Sequence, residues 1–447
     1  MDLSKRKSDE LARLVSESDL RFVRLGWVDN AGIYRSHALS VNHFCELATK
    51  GLGLASGVQA VPVHQDSVAA GLPIGAVGQV WLVPDRKSFR ALPWQEGHGS
   101  VMGAFVTAGG EPWPYCPRTT LTRQLQDLAE VGLHMETAFE HEFMLLRRGE
   151  NGPEHFEESH YAATHGLDKA GPILDEMALA LESQGITVES ILKEAGLSQF
   201  EIATLHADPM QSADHFVAVR ETLSAVGLGH NLIATPLPLV FENESGNGWH
   251  LHFSLWQEDR NLTADGPNLA PLSGAFLAGV LEHLPGLCAL TSPSTNSFRR
   301  IRPGAWAGAY QIWGYDHKEA ALRVPTSRMG GPTNIELKVS DASANPYLSL
   351  AGLIGAGLDG IKRKLGLPGA VEVDAGHLNE SERNARGIEA LPASLDAAVA
   401  ALESDPVLLE VLGPDLAEAY LHVKKEEALA LGPLSLEEEV SQLIETY

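Results

Sequence analysis

The chain has 447 residues, of which 44% are hydrophobic and 20% charged, and it carries a formal net charge of −25. This length favours two domains, and the negative charge argues against nucleic acid or an anionic membrane as a partner, because phosphate binding needs basic patches. No stretch approaches the roughly 20 apolar residues of a membrane helix, and no apolar run follows the charged N-terminus, so we expect a cytoplasmic protein.

The three cysteines, Cys45, Cys116 and Cys288, are far apart and form no C-x-x-C pair. This pattern fits a reducing compartment and argues against both a disulfide framework and a thiolate zinc site. The 58 acidic residues leave many carboxylates available to hold hard cations.

The first hundred residues predict mixed strands and turns. Apolar residues alternate in FVRLGWVDNAGIYRSHAL and are interrupted by residues 29–32, which predicts a hairpin. The Pro/Gly-rich stretch AGGEPWPYCPRTTL predicts a boundary between a domain of residues 15–112 and one of residues 113–447.

Helix and strand patterns alternate beyond that boundary to about residue 360. Leu121, Leu125 and Leu128 have helical spacing, and Gly132 is a plausible stop. Residues 395–447 are rich in Ala, Leu and Glu, which predicts a helical tail.

Four short predicted strands carry their polar residues on one face, because side chains at i and i+2 point the same way. The strands are AFEHEFML, LSQFEIA, GWHLHFSLW and TNIELKVS, and the polar sets are Glu140 and Glu142; Gln199 and Glu201; His250, His252 and Ser254; Glu336 and Lys338.

A single E-x-E or H-x-H usually marks a half-exposed strand with solvated polar residues. Here the flanking residues are strongly apolar, which indicates that both faces are covered and that the polar face lines an enclosed space. Enclosed carboxylates raise each other's pKa and need cations. Carboxylate oxygens suit Mg²⁺ or Mn²⁺, whereas zinc more typically draws on cysteine or several histidines.

The H-x-H pair also permits a cupin interpretation, in which a glutamate follows the second histidine within a few residues. The next glutamate is Glu258, a slightly long gap after His252. The cupin interpretation also leaves the other three strands unexplained.

Seven motifs in order carry a family resemblance: WVDNAG, EHEF, EAGLSQFE, GNGWHLHFSL, NSFRRIRPG, ALRVP and NIELKVSDASANPYL. From about residue 20 to 355 the chain resembles glutamine synthetases. The resemblance implies an α+β protein with a β-grasp N-terminal domain and a catalytic domain of helices and a curved antiparallel sheet. It also implies a homo-oligomer of two stacked hexamers, with each active site between the N-terminal domain of one subunit and the catalytic domain of its neighbour.

The resemblance further implies glutamate, ATP and a small amine as substrates, with two or more Mg²⁺ or Mn²⁺ ions per site. One ion would be held by Glu142, Glu194 and Glu201, and the other by Glu140, His250 and Glu336. ATP and its phosphates would meet His252, Ser254, Lys318 and Arg323.

The remaining implied roles concern the acid and the amine. Arg300 would grip the α-carboxylate of glutamate beside the backbone of Gly246, with Lys338 facing the substrate. Asp29 would reach across the subunit boundary toward the amine. Trp306 falls on the flap that closes over the amine.

The chain departs from the family pattern mainly around the amine and acid pockets. Trp306 stands where ammonia-using members carry a glutamate that binds ammonium, and tryptophan offers a cation only its ring face. Glu319 is a nearby alternative carboxylate if the local alignment differs. Lysine replaces arginine at two positions, with loss of the bidentate fork. These two lysines are Lys318 and Lys338, and the other two changed positions are Ser245 and Ala55.

We therefore hypothesise a ligase that joins the γ-carboxylate of glutamate to an amine other than ammonia. Three alternatives stay open: an ordinary glutamine synthetase, a ring-forming sensor without catalysis, and a phosphagen-type kinase. The intact metal-ligand set argues against the sensor, and the motif order argues against the kinase.

Overall fold

The computed structural model describes residues 3–264 and 266–447. The first part of the chain forms two helices and a small sheet, with the bounds α1 Leu3–Ser16, β1 Phe22–Val28, β2 Tyr34–Ser40, α2 Val41–Leu47, β3 Leu52–Ala55, β4 Gln79–Pro84, β5 Arg90–Ala91 and β6 His98–Val106.

The N-terminal sheet has the strand order β2-β1-β6-β4-β3, and β5 pairs with β6. The central pair β1–β6 is parallel and the other pairs are antiparallel. The predicted hairpin is confirmed: β1 and β2 pair from Phe22 with Ser40 to Val28 with Tyr34. Asp29 closes the turn, because its Oδ1 accepts hydrogen bonds from the backbone N–H groups of Ala31 and Ile33.

The second part of the chain contains the remaining elements, with the bounds α3 Pro117–Glu130, β7 His134–Gly149, β8 Gly152–His155, α4 Thr164–Ser183, β9 Val188–Lys193, β10 Gln199–Thr204, α5 Pro209–Gly229, β11 Ile233–Thr235, β12 Leu251–Gln257, β13 Arg260–Asn261, α6 Pro271–Glu282, α7 Leu284–Thr291, α8 Ser297–Arg300, β14 Tyr310–Tyr315, β15 Ala320–Val324, β16 Ile335–Leu337, α9 Pro346–Arg363, α10 Glu380–Ala385, α11 Leu395–Glu403, α12 Pro406–Leu412, α13 Pro414–Leu431 and α14 Leu436–Leu443. The predicted helix after the Pro/Gly-rich stretch is α3, and the predicted helical tail is α11 to α14.

The large sheet has the strand order β14-β15-β16-β12-β7-β10-β9, with β8, β11 and β13 attached at its side. Its pairs are antiparallel except β14–β15, which is parallel, so the predicted antiparallel sheet has one exception. The four strands with polar faces are β7, β10, β12 and β16, and they are consecutive neighbours in the order β16-β12-β7-β10. Their polar residues therefore come together on one sheet. The domain boundary between residues 112 and 113 stays a prediction.

The apolar face of the large sheet is buried against helices. Phe139 and Phe143 on β7 are 2% and 0% exposed, and Phe139 packs edge-on against Phe216 of α5 with ring centroids 4.9 Å apart. An Asx-Pro pair starts α5 and likewise α9. Asp208 accepts hydrogen bonds from the backbone N–H groups of Met210 and Gln211 at the start of α5. Burial on one face leaves the polar face of the sheet to form a site.

The N-terminal sheet packs onto the second part of its own chain through the hairpin tip. Asn345 Nδ2 donates to the carbonyls of Val28 and Asp29 at 3.2 and 3.0 Å. A Cβ on Gly32, whose φ is +86°, would lie 2.1 Å from the Ser343 carbonyl oxygen. The tip can approach this closely only because residue 32 is a glycine. Within the described residues no single helix is long and apolar enough to cross a membrane; α6 and α7 meet that length and composition only as a pair bent by 76°.

His283 links the junction of α6 and α7 to α9 and to the start of α12. From its contacts we predict that the stability of the fold depends on pH. His283 lies between α6 and α7, and its ring nitrogens are 2.7 Å from Asp405 Oδ2 and 3.1 Å from Asp359 Oδ2. Burial by itself lowers the pKa of His283, but the hydrogen bonds to Asp405 and Asp359 outweigh it and raise the pKa above its usual value. The imidazolium therefore stabilises the fold below about pH 6.5, and this contribution is lost as the pH rises through the raised pKa.

We expect H283Q to lower the free energy of unfolding by about 1–3 kcal/mol at pH 6 and by clearly less at pH 9, since hydrogen bonds to charged groups contribute about that much. Urea denaturation at both pH values measures the difference. The exposed His43, which lies 3.6 Å from Glu46, provides the control H43Q. An equal loss at the two pH values would contradict the imidazolium assignment.

Candidate active site

The polar residues of the large sheet face one another across neighbouring strands. Glu142 of β7 pairs in register with Glu201 of β10, and Glu336 of β16 pairs with His252 of β12 on one side and Arg323 of β15 on the other. Directly opposite residues have their Cβ atoms roughly 4.5–5.5 Å apart. The strand pairing thus places carboxylates, imidazoles and one guanidinium on a common surface.

Glu142, Glu194 and Glu201 form a group of carboxylates, with one oxygen of each within 4.8 Å of the others. Burial first, and then the charge of Glu194, raises the pKa of Glu142 to about 8. Burial and the surrounding carboxylates raise the pKa of Glu201 to about 9. Oxygen donors in this number and proximity fit a hard divalent cation such as Mg²⁺ or Mn²⁺.

A second group consists of Glu140, His252 and Glu336, whose ligand atoms also lie within 4.8 Å of one another. The sequence prediction named His250 for this set. The His250 Nδ1 atom lies 3.0 Å from Glu140 Oε2 and 3.4 Å from Glu336 Oε1, so both histidines reach the carboxylates. They do so because alternate residues share one face of the extended chain.

Electrostatics separates the two histidines. Burial, followed by the charge of Lys338, lowers the pKa of His250 to about 4, so its imidazole is neutral near pH 7. Burial alone would lower the pKa of His252, but its hydrogen bond with Glu140 outweighs burial and raises the pKa to about 9. A neutral imidazole suits a metal ligand, and a protonated one suits a phosphate. The metal-ligand role of His250 and the phosphate role of His252 stay predictions.

Two further cations contact Glu336. Arg323 Nη1 donates to Glu336 Oε2 at 2.9 Å, and Lys338 Nζ donates to Glu336 Oε1 at 3.1 Å. Burial tends to raise the pKa of Glu336, but Lys338 and the two histidines lower it below its usual range. Positive charge is therefore concentrated on this side of the site, and carboxylates are concentrated on the other.

A cavity of about 260 Å³ opens beside the second group. Glu140, His252 and Ser254 line it, together with Trp256, whose Nε1 donates to Ser254 Oγ at 2.8 Å. His252 and Ser254 are two of the residues predicted to meet ATP. The other two, Arg323 and Lys318, lie outside its lining.

Gly246 and Arg300, the pair predicted to hold glutamate, are in direct contact. A Cβ on Gly246 would lie 2.7 Å from Arg300 Cγ and 2.3 Å from the Pro238 carbonyl oxygen. Arg300 is 3% exposed, and its Nη2 donates to the Val339 carbonyl at 2.6 Å. Its Nε has no hydrogen-bond partner, so one buried donor remains available for a carboxylate.

Trp306 lies in the segment between α8 and β14, and its backbone φ is +54°. Its side chain is 62% exposed, and its backbone N–H donates to Glu319 Oε1 at 2.8 Å. Arg302 Nη2 from the same segment donates to the Glu244 carbonyl at 3.0 Å, next to the Gly246 loop. The predicted flap is thus tied to the Gly246 loop on one side and to Glu319 on the other.

Several residues that shape the site carried no role in the sequence prediction. Gln199 links two loops: its Oε1 accepts from Gly196 N–H at 2.7 Å, and its Nε2 donates to the Gly246 carbonyl at 3.0 Å. Lys193 is fully buried, and its Nζ donates to the Glu194 carbonyl at 2.7 Å, which fixes the loop that carries Glu194. The available signals were the Gln within E-A-G-L-S-Q-F-E and the Lys that directly precedes this motif.

The structure corrects the role predicted for Asp29. Its side chain is fully buried in its own chain, where Oδ1 accepts two backbone hydrogen bonds and Oδ2 is ion-paired with Arg35. A carboxylate engaged in this way closes the β1–β2 turn and is not presented to a neighbouring subunit. Among the substituted positions, Ser245 and Ala55 are exposed, Ala55 at the end of β3.

A family model and two relatives of known name match most of this chain, and all three are glutamine synthetases or a related synthetase. Residues 114–442 match the family model described as glutamine synthetase, catalytic domain. The γ-glutamylpolyamine synthetase GlnA3 of Streptomyces coelicolor is 37% identical over 417 residues, which cover 91% of this chain and 89% of that protein. Type-1 glutamine synthetase 1 of Dictyostelium discoideum is 31% identical over 458 residues, covering 96% and 90%.

Solved structures agree over nearly the full length. A structure described as a novel glutamine synthase homolog superposes with a TM-score of 0.84 at 31% identity and covers 96% of this chain and 99% of that one. A GmaS/ADP complex superposes with a TM-score of 0.85 at 26% identity, covering 98% and 99%. The ordered motifs, the face of carboxylates and histidines, and these matches together place the chain in the glutamine synthetase family.

Proposed function

We propose that this protein is an ATP-dependent ligase that joins the γ-carboxylate of glutamate to an amine other than ammonia. The proposal rests on Trp306: its side chain is exposed, and the motif resemblance assigns it the flap position at which ammonia-using members carry a glutamate. All six residues predicted to hold the metal ions are in the chain. The 37% identity to a protein named γ-glutamylpolyamine synthetase supports the same conclusion.

The residues present divide the work among three parts of the site. Glu142, Glu194 and Glu201 would hold one Mg²⁺ or Mn²⁺ ion, and Glu140, His250 and Glu336 the other. When bound, these ions neutralise charge on the transferred phosphoryl group. The protonated His252 and the guanidinium of Arg323 add positive charge beside the proposed ATP cavity, and Arg300 would bind the α-carboxylate of glutamate.

The proposed reaction proceeds in two displacements. A γ-carboxylate oxygen of glutamate attacks the terminal phosphorus of ATP, which forms an acyl phosphate and releases ADP. The amine nitrogen then attacks the acyl carbon; the new C–N bond forms, the C–O bond to phosphate breaks, and inorganic phosphate leaves with the amine proton released. The flap around Trp306 would keep water from the acyl phosphate, which otherwise hydrolyses.

A phosphate-release assay with glutamate, ATP and Mg²⁺ or Mn²⁺ tests the proposal with alkylamines, amino alcohols, polyamines and ammonia as separate nucleophiles. We expect at least one larger amine to give a higher kcat/KM than ammonia. W306E, which restores a flap carboxylate, is expected to shift preference toward ammonia by about 10-fold or more, because a placed carboxylate binds a small cation better than an indole ring does.

Tyr161, an aromatic residue that is 59% exposed, supplies the matched control Y161E. Fastest turnover with ammonia would overturn the proposal in favour of an ordinary glutamine synthetase. Nucleotide and metal binding without turnover of any nitrogen compound would favour the non-catalytic sensor.

We also propose the assembly and location that the resemblance implies: a dodecamer of two stacked hexamers in the cytoplasm. The three free cysteines are compatible with a reducing compartment. Light scattering after size exclusion measures the assembly, and a monomer as the active species would contradict it.

A further inference from the structure

We propose that Glu319 supplies the carboxylate that binds the reacting amine, in place of the flap glutamate that this chain lacks. The assignment rests on the proposed function of the site as an amine ligase. It makes the amine a cation that is held between the Glu319 carboxylate and the indole ring of Trp306.

Glu319 is a buried carboxylate with an unused oxygen. The residue is 3% exposed; Oε1 accepts the Trp306 N–H at 2.8 Å, whereas Oε2 is buried and has no hydrogen-bond partner. In the part of the chain that the structure describes, no Lys, Arg or His side chain pairs with it. Burying an ionised carboxylate without a partner is expensive, and proteins normally satisfy such a group with a cation or a donor. A protonated amine supplies both.

Glu319 lies in a segment that runs into the site. Glu319 directly precedes β15, where Ala321 and Arg323 share a face and Arg323 bonds the metal-group residue Glu336. The Lys338 N–H donates to the Ala321 carbonyl at 2.9 Å, so the pairing of these segments continues past β16 toward Glu319. The backbone of Glu319 therefore leads directly into the strand that carries Arg323, and its side chain is hydrogen-bonded to the flap at Trp306.

The hydrogen bond from the Trp306 backbone N–H holds the Glu319 carboxylate next to the residue that carries the indole ring, so one amine could meet both. An aromatic face attracts a cation, and an adjacent carboxylate fixes its charge and direction. A carboxylate beneath the flap also leaves the flap position itself free for a bulky residue, which accommodates the substituent of a larger amine. In this proposal the carboxylate that binds the amine has moved from position 306 on the flap to position 319.

The chemistry balances without any further reactant. The amine enters as R–NH₃⁺ and transfers one proton to the Glu319 carboxylate, which gives R–NH₂ and the neutral acid. The nitrogen lone pair forms the C–N bond, the acyl C–O bond breaks, and phosphate departs. The second nitrogen proton and the proton on Glu319 leave to solvent or to the released phosphate.

E319Q tests this assignment because the Gln carbonyl oxygen still accepts the Trp306 N–H while the negative charge is removed. With the best amine for the wild-type enzyme, we expect kcat/KM for that amine to fall by about 10²–10³-fold and the KM values for ATP and glutamate to stay unchanged, as general-base and charge contributions are typically of this size.

A second variant separates charge from folding. W306E/E319Q returns a carboxylate to the flap and should recover ammonia turnover relative to E319Q alone. Glu403, an exposed residue paired with Lys425 at 2.7 Å, gives the matched control E403Q. Thermal denaturation with and without amine adds a readout that needs no turnover: the amine-induced rise in melting temperature should be lost in E319Q and kept in E403Q.

An unchanged amine KM, kcat and amine-induced melting shift in E319Q would overturn the role of Glu319. The proposed function fails differently. If wild-type enzyme prefers ammonia and E319Q raises the KM for ammonia, the larger-amine substrate is wrong while Glu319 remains the nitrogen-binding carboxylate.

Discussion

Replacement of Glu201 by glutamine is expected to reduce metal-dependent turnover by at least about 10²-fold while it makes the metal-free protein more stable than wild type at pH 7. Burial and the neighbouring carboxylates raise the pKa of Glu201 to about 9, so the side chain is neutral at pH 7 in the metal-free fold. Glutamine has the shape of that neutral acid and cannot supply an anionic ligand to a divalent ion.

Linkage gives the sign of the pH effect. A carboxyl whose pKa is raised in the folded state favours folding below its unfolded pKa of about 4.3, and that contribution is lost as the pH rises through about 9. In the wild type the unfolded carboxylate must take up a proton on folding above about pH 4.3, and glutamine need not. Metal-free E201Q should therefore gain in stability over wild type as the pH rises from about 4.3 to about 9, with a constant difference above that.

Thermal denaturation with EDTA and with Mg²⁺ or Mn²⁺, together with phosphate release, measures all three parts of this prediction. In wild type, saturating metal should stabilise the fold by about 3 kcal/mol at 100 times the dissociation constant. E403Q is again the control. A variant that keeps both the metal-induced stabilisation and full turnover would remove Glu201 from the metal site.

The largest loss of stability is expected from R118M. Arg118 of α3 is 5% exposed and is ion-paired with the buried Asp214 of α5. Its Nη2 also donates to Asp85 Oδ2 at 2.7 Å, and its Cζ lies 5.3 Å from the centroid of the Tyr347 ring. Removing the guanidinium leaves the Asp214 carboxylate buried without its cation, which costs about 3–5 kcal/mol.

The exposed Arg148–Glu445 pair provides a sharp comparison for R118M. Arg148 makes two short hydrogen bonds to Glu445, at 2.5 and 2.6 Å, and is 50% exposed. R148M should cost less than about 1 kcal/mol, because exposed pairs contribute little. Urea denaturation at one fixed protein concentration compares the two variants, and similar losses would contradict the argument from burial.

The sheet faces were predictable because their signal is local. Alternation along each strand indicated that Glu140 and Glu142 share a face, and similarly for Glu201 and for Glu336, without knowledge of their neighbours. The same logic could not separate His250 from His252, since both lie on that face. Their different charges depend on Lys338 and Glu140, which are distant in sequence.

The parts that could not be predicted depend on contacts between distant segments. Asp29 looked like a free acid in a turn, but its exposure is set by Asn345 and Ser343, more than 300 residues away. Glu319 appeared only as a substitute for position 306, and the hydrogen bond that ties it to Trp306 depends on the path of the flap. The parallel pairing of β14 and β15 also leaves no pattern in the strands themselves.

The backbone of Trp306 sets stability against specificity at this position. A non-glycine residue with φ of +54° costs about 1–2 kcal/mol, and an indole ring that is 62% exposed in the chain regains little of this through packing. Glycine is the residue that this backbone prefers. Selection or engineering for heat resistance alone would thus drive position 306 toward glycine and remove the aromatic wall of the proposed amine site.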